Sequence, residues 1–167
     1  LSAFARARAA AEERRHALRG AKEATMKRGR LEMNGRTFDV VVDGKTPDRA
    51  IVIDNLLAPT PKKTGIELDV RQGTWRAPVR PSKIVCIGRN YAAHAKELGH
   101  EVPSEPTIFL KPPSSIVGPS APIVRPKMSA LVHHEAELGV VLGQKLSHAS
   151  EKQAEAAIFG FTCANDV

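Results

Sequence analysis

Aromatic side chains are scarce in this 167-residue chain, with one Trp, one Tyr and five Phe making up 4% of it. A core must therefore rest on Val, Ile, Leu and Ala, and a surface that binds bases by ring stacking is disfavoured. Cysteine is scarce too. Cys86 and Cys163 each sit in an apolar stretch, KIVCIG and FGFTCA. Two such thiols make no disulfide framework; they read as small buried core residues in a reducing compartment. No apolar run approaches the ~20 residues that a membrane-spanning helix needs. With 42% hydrophobic and 26% charged residues, the composition is that of a globular protein with room for one ordinary domain plus an extension.

Positive charge is abundant but unevenly placed. Residues 1–37 hold 10 Lys/Arg against 4 Asp/Glu, whereas 38–167 hold 15 against 14. The net charge of +7 thus belongs mostly to an N-terminal arm. A nucleic-acid-binding core would spread its basic patch over the folded surface. A nucleic-acid or anionic-surface role, if present, would have to work through residues 1–37. The first eleven residues, LSAFARARAAA, are acid-free and Arg-rich like a transit segment, although Glu12 and Glu13 follow at once. The chain opens on Leu1, has an internal Met26, and closes on Val167 just after Asn165-Asp166. It reads as a fragment or as an incomplete gene product.

Three segments follow from the patterning. Residues 1–35 form a basic arm in which 1–30 read as an Ala- and Arg-rich helix without a strong apolar stripe. Residues 36–80 read as a small β-rich subdomain and linker. In it TFDVVVDG is a strand running into a turn at Asp43-Gly44, and RAIVID is a second strand. Pro59, Pro61, Pro78 and Pro81 mark 58–82 as a linker with one short strand near Ile66–Val70.

Residues 81–167 carry the chemistry. KIVCIG predicts a buried strand, YAAHAKEL a helix stopped by Gly99, and TIFLK another strand. His134–Leu142 alternates as a strand. Ser150-Glu-Lys-Gln153 predicts a capped helix over 151–157, and IFGFTCA a last strand that delivers Asn165 and Asp166 at its end.

In HHEAELGVVLG, alternation puts Glu135, Glu137, Gly139, Val141 and Gly143 on one face. Ala136, Leu138, Val140 and Leu142 fall on the other, which should pack into a core. Two carboxylates on one face repel one another and want a compensating cation. Gly139 beside them would leave space for a ligand. The plain alternative is a solvent-facing edge with two harmless glutamates. Asp166 at a strand end tips the balance towards function. Three oxygen donors suit a hard ion such as Mg²⁺ or Mn²⁺ over zinc. His133 and His134 are competing ligands or mere packing residues. His94 and Glu97, three apart on the expected helix, could form a general-base dyad, or could be solvated neighbours.

The motifs KIVCIGRNYAAHAKELG, PTIFLKPPSS, HHEAELGVVLG and FTCANDV, in that order, resemble the core of the fumarylacetoacetate hydrolase superfamily. The 29 positions from Glu137 to Asp166 fit as well. The resemblance covers roughly 80–167. Arg89-Asn90-Tyr91 points to the acylpyruvate hydrolase and oxaloacetate decarboxylase branch. LLAPTP at 56–61 resembles the segment preceding the core in multidomain members.

The resemblance implies an α+β, β-rich roll of mixed sheets, commonly a homodimer. It implies Glu135, Glu137 and Asp166 as Mg²⁺ or Mn²⁺ ligands, and His94 with Glu97 as the acid–base pair on a helix that closes over substrate. Arg89 and Lys111 would contact substrate. The expected substrate is a small 2-oxo or β-dicarbonyl acid, with neither nucleic acid nor membrane as a partner, and the compartment cytoplasmic or mitochondrial. It further implies that the core continues past Asp166 through more strands and a catalytic lysine. A non-catalytic, metal- or partner-binding remnant is the competing expectation.

Overall fold

The computed structural model describes residues 26–88 and 105–167. Its first sheet grows from a tight hairpin. Asn34 and Gly35 both take positive φ, 51° and 74°. Such a turn has the twist that joins antiparallel strands, and Asn-Gly is its preferred pair. It connects β1 (Lys27–Met33) to β2 (Arg36–Val42) in continuous register from Met33↔Arg36 to Lys27↔Val42. Residues 27–30, expected to finish a helix, are therefore strand. The pairing of Lys27, Arg28 and Gly29 with the β-branched Val42, Val41 and Val40 of β2 outweighs the weak helical preference of Lys and Arg. The rest of the expected 1–30 helix lies outside the described residues.

The sheet is completed by β3 (Arg49–Ile53), β4 (Lys63–Asp69) and β5 (Thr74–Arg76), in the order β4-β3-β2-β1-β5. The stretch read as a linker with one short strand near Ile66–Val70 thus supplies two strands, β4 at the expected place and β5 beyond it. Its prolines flank β4 and β5 and do not interrupt them. The core lies on one face of this sheet. Leu31, Val40 and Ala50 are fully buried, Val52 nearly so, with Met33, Phe38, Leu68 and Trp75 packed against them. Leu31 faces Phe38 on one side and Trp75 on the other, and Val40 faces Val52. The opposite face is also partly covered, since Val41, Ile53, Leu56 and Ala157 are buried.

Two further strand pairs follow, and every pairing among the described strands is antiparallel, so none shows the parallel component of a mixed sheet. β6 (Ile84–Gly88) pairs with β7 (Thr107–Lys111). β6 was expected to be buried, yet Val85 is 58% exposed and the other residues are half-buried. β8 (Ala136–Leu142) pairs with β9 (Ile158–Asn165). Between β8 and β9 lies α1 (Glu151–Ala156), opened by the anticipated capping box. Ser150 Oγ accepts from Gln153 N, and Gln153 Oε1 accepts from Ser150 N at 2.8 Å.

The contacts divide the described residues into two compact units. One holds 79–88 and 105–117, and the other holds 26–78 with 118–167. Within the second, Arg28 ties the five-stranded sheet to β9. Its Nη1 donates to Leu56 O at 2.9 Å and Ala58 O at 2.6 Å, and Nη2 donates to Pro59 O at 3.1 Å. The guanidinium also stacks 5.2 Å from the centre of the Phe159 ring.

Candidate metal centre

The β8–β9 ladder decides where the carboxylates go. Ala136 faces Asn165, Glu137 faces Ala164, and Gly139 faces Thr162. Continued by one residue, this register sets Glu135 opposite Asp166. A bond confirms the step: Asp166 N donates to Glu135 O at 2.9 Å. Directly paired residues share a face of an antiparallel ladder, and so do residues two apart. Glu135, Glu137 and Asp166 therefore stand on one face at one end of the hairpin, Asp166 opposite Glu135 and diagonal to Glu137. Cβ atoms so placed are separated by about 5–8 Å.

The donor set is three carboxylates, which suits a hard, oxygen-seeking cation. Glu137 and Asp166 are half-buried, and Glu135 is exposed and belongs to the segment leading into β8, not to the strand itself. Among the described residues no three His, Cys, Asp or Glu side chains close around a common point. The backbone thus brings the three together on a face, and side-chain rotation has to complete a binding set. His133 and His134 lie just upstream in the exposed segment.

Glu135 is pinned from both sides of its peptide. Its carbonyl takes the Asp166 N–H, and its own N–H donates to Asn165 Oδ1 at 2.9 Å. Nothing in the strand pattern announced Asn165 as a side-chain partner. The only signal was its place before Asp166 at the strand end. Gly139 departs from expectation in another way. A Cβ there would meet Thr162 Cγ2 at 2.8 Å, so the space beside the glutamates is taken by the threonine methyl and not held for a ligand.

The other face of β8 also departs from expectation. Leu138, Val140 and Leu142 are 56%, 49% and 48% exposed, and Phe161 of β9 is 49% exposed. Alternation correctly groups these residues, but no described element covers them. Cys163, opposite Leu138, is exposed for the same reason, while Cys86 is half-buried; neither forms a disulfide.

Lys111 ends β7 and is half-buried in the other unit. Arg89, His94 and Glu97, with the helix expected around them, lie outside the described residues. No helix among the described residues is long and apolar enough to cross a membrane.

This β-rich chain is similar to several solved structures. A structure of 5-carboxymethyl-2-hydroxymuconate delta-isomerase from Mycobacterium smegmatis superposes with a TM-score of 0.74 at 34% identity, covering 84% of this chain and 54% of that one. The fumarylacetoacetate hydrolase C-terminal family model matches residues 83–167, and the chain belongs to that family. A mitochondrial oxaloacetate decarboxylase of Dictyostelium discoideum is 51% identical over 86 residues, which are 51% of this chain and 39% of the relative. A mitochondrial oxaloacetate tautomerase of Homo sapiens is 50% identical over 95 residues, 56% of this chain and 30% of the relative. The chain therefore spans about half or less of the length of the proteins it matches.

Proposed function

We propose that this chain carries the metal-binding part of a divalent-cation enzyme acting on small 2-oxo acids, by acylpyruvate hydrolysis, oxaloacetate decarboxylation or tautomerisation. The observation that carries the reading is the β8–β9 register, which sets Glu135, Glu137 and Asp166 on one face. Family membership supports it, and relatives named for oxaloacetate decarboxylation and tautomerisation support the substrate class.

Mg²⁺ or Mn²⁺ held by these three carboxylates would supply Lewis-acid stabilisation to negative charge developing on a substrate oxygen. Arg89 and Lys111 would bind the substrate carboxylate and orient it; a guanidinium does this in bidentate fashion, an ammonium as a point charge. His94, held by Glu97, would move the proton. In hydrolysis it takes one from the attacking water, and in tautomerisation it shifts one between carbon and oxygen. In decarboxylation the same group returns a proton to carbon after CO₂ leaves. The active form would be a homodimer, in the cytoplasm or a mitochondrion.

Turnover of oxaloacetate and of acylpyruvates, followed by ultraviolet absorbance with Mg²⁺ or with a chelator, tests this. Activity should vanish with the chelator and return with Mg²⁺. Glu137→Gln should cost at least about 100-fold in kcat/KM, roughly 2.7 kcal/mol of transition-state stabilisation, while the melting temperature holds. Chelator-resistant turnover would sink the metal reading. A second reading, a non-catalytic partner-binding role, is favoured by the exposed apolar face of β8–β9. A protein that binds Mn²⁺ but turns over none of these acids would support that alternative.

A further inference from the structure

In an ordinary antiparallel pair of the hydrogen-bonded kind, each residue donates its N–H to the carbonyl of the other. Glu135 and Asp166 make only half of that exchange. Asp166 N reaches Glu135 O at 2.9 Å, but Glu135 N turns to Asn165 Oδ1, also at 2.9 Å. The bonded strand β8 begins one residue later, at Ala136, and residues 130–135 before it are all exposed. Glu135 thus sits where a strand would fray, and a side chain from the facing strand holds it.

We propose that Asn165 is a positioning residue, whose side-chain oxygen keeps Glu135 docked opposite Asp166 so that the carboxylates face a cation together. The inference rests on the metal reading above and adds to it a residue that donates nothing to the ion. Two features make the geometry specific. Asn165 pairs with Ala136, so its side chain leaves the ladder on the face opposite Asp166, and it reaches the Glu135 backbone and not the carboxylate. Because Asn165 and Asp166 are adjacent, any motion of Glu135 away from one is resisted by both bonds. Outer partners of this kind commonly alter metal affinity by about 10–100-fold when removed.

The test uses the full chain with Mn²⁺ as the probe, titrated by electron paramagnetic resonance, alongside amide hydrogen exchange without metal. Asn165→Ala should weaken Mn²⁺ binding by about tenfold. It should also speed exchange at the Glu135 amide while leaving the Glu137 amide unchanged. Asn165→Asp keeps an acceptor oxygen at the same place and should restore both, a rescue that a loss of general stability would not show. Unchanged Mn²⁺ affinity in Asn165→Ala, or unchanged exchange at Glu135, overturns the proposal. Equal loss in the Ala and Asp variants does so too, because the acceptor oxygen would then not be the agent. If the unaltered chain binds no Mn²⁺, the metal reading itself falls, and the positioning role falls with it.

Discussion

Leu31 illustrates how single side chains set the stability of the first sheet. It is fully buried between Phe38 and Trp75 on the neighbouring strands, and Gly73 leaves room for it, since a Cβ there would meet Leu31 Cδ1 at 2.7 Å. Leu31→Ala should destabilise the protein by about 2–5 kcal/mol in urea unfolding, the cost of lost burial plus a cavity. Charged residues at the sheet margin act through pH. Glu32 accepts two bonds from Arg76, at 2.6 and 2.9 Å, and Asp69 is bonded by both the side chain and the backbone of Arg71. The hydrogen bond from Arg76 lowers the Glu32 carboxyl below its ordinary 4.5, and that from Arg71 lowers Asp69 well below its ordinary 3.8. A lowered carboxyl pKa stabilises the folded state above the ordinary value, and the contribution is lost as pH falls through the lowered one. Thermal melting should therefore show stability holding at neutral pH and falling progressively below about pH 4. Glu32→Gln should flatten part of that fall, and high salt should shrink the difference.

At the scale of elements, patterning and turn chemistry explain which strands were legible. TIFLK and the capped helix stand where the sequence put them, because Pro112 and the Ser150–Gln153 pair mark their ends chemically. β1 was missed although its sign was present: Asn34-Gly35 is a strong hairpin signal, hidden behind the helix-friendly arm before it. β4 stands where a short strand near Ile66–Val70 was expected, starting earlier, while β5 is hidden by prolines that flank strands as readily as they break them. The cap itself is testable. Ser150→Ala should cost about 0.5–2 kcal/mol in unfolding free energy. Because α1 leads directly into β9, hydrogen exchange should rise at the α1 amides before it rises in the first sheet.

For the whole molecule, periodicity told which residues share a face but not what lies over that face. The shared face of Glu135 and Glu137 is legible because parity follows from spacing alone, whereas the register that sets Asp166 opposite Glu135 comes only with the paired strands. The covering of Leu138, Val140, Leu142 and Phe161 is not legible, since alternation carries no information about a distant packing partner. Exposed together, these four form an apolar patch of the kind that drives association. The chain should bind the dye ANS and self-associate on a sizing column. Val140→Lys combined with Phe161→Lys should weaken both effects without loss of the Glu135–Asp166 register, which a Mn²⁺ titration would report. Undiminished association would place the sticky surface elsewhere.

The β8–β9 ladder also contains a slip. Val141 pairs with Gly160, but Leu142 pairs with Ile158, leaving Phe159 as the extra residue, the one whose ring lies under Arg28. From Gly160 to Asp166 the chain is counted from that anchor. Deleting one residue within this stretch would carry Asp166 to the opposite face from Glu135 and Glu137, whereas exchanging one residue for another leaves the count intact. Between Phe159 and Asp166 such a hairpin is thus held to a fixed count of residues as strictly as it is held, at Asn165 and Asp166, to particular ones.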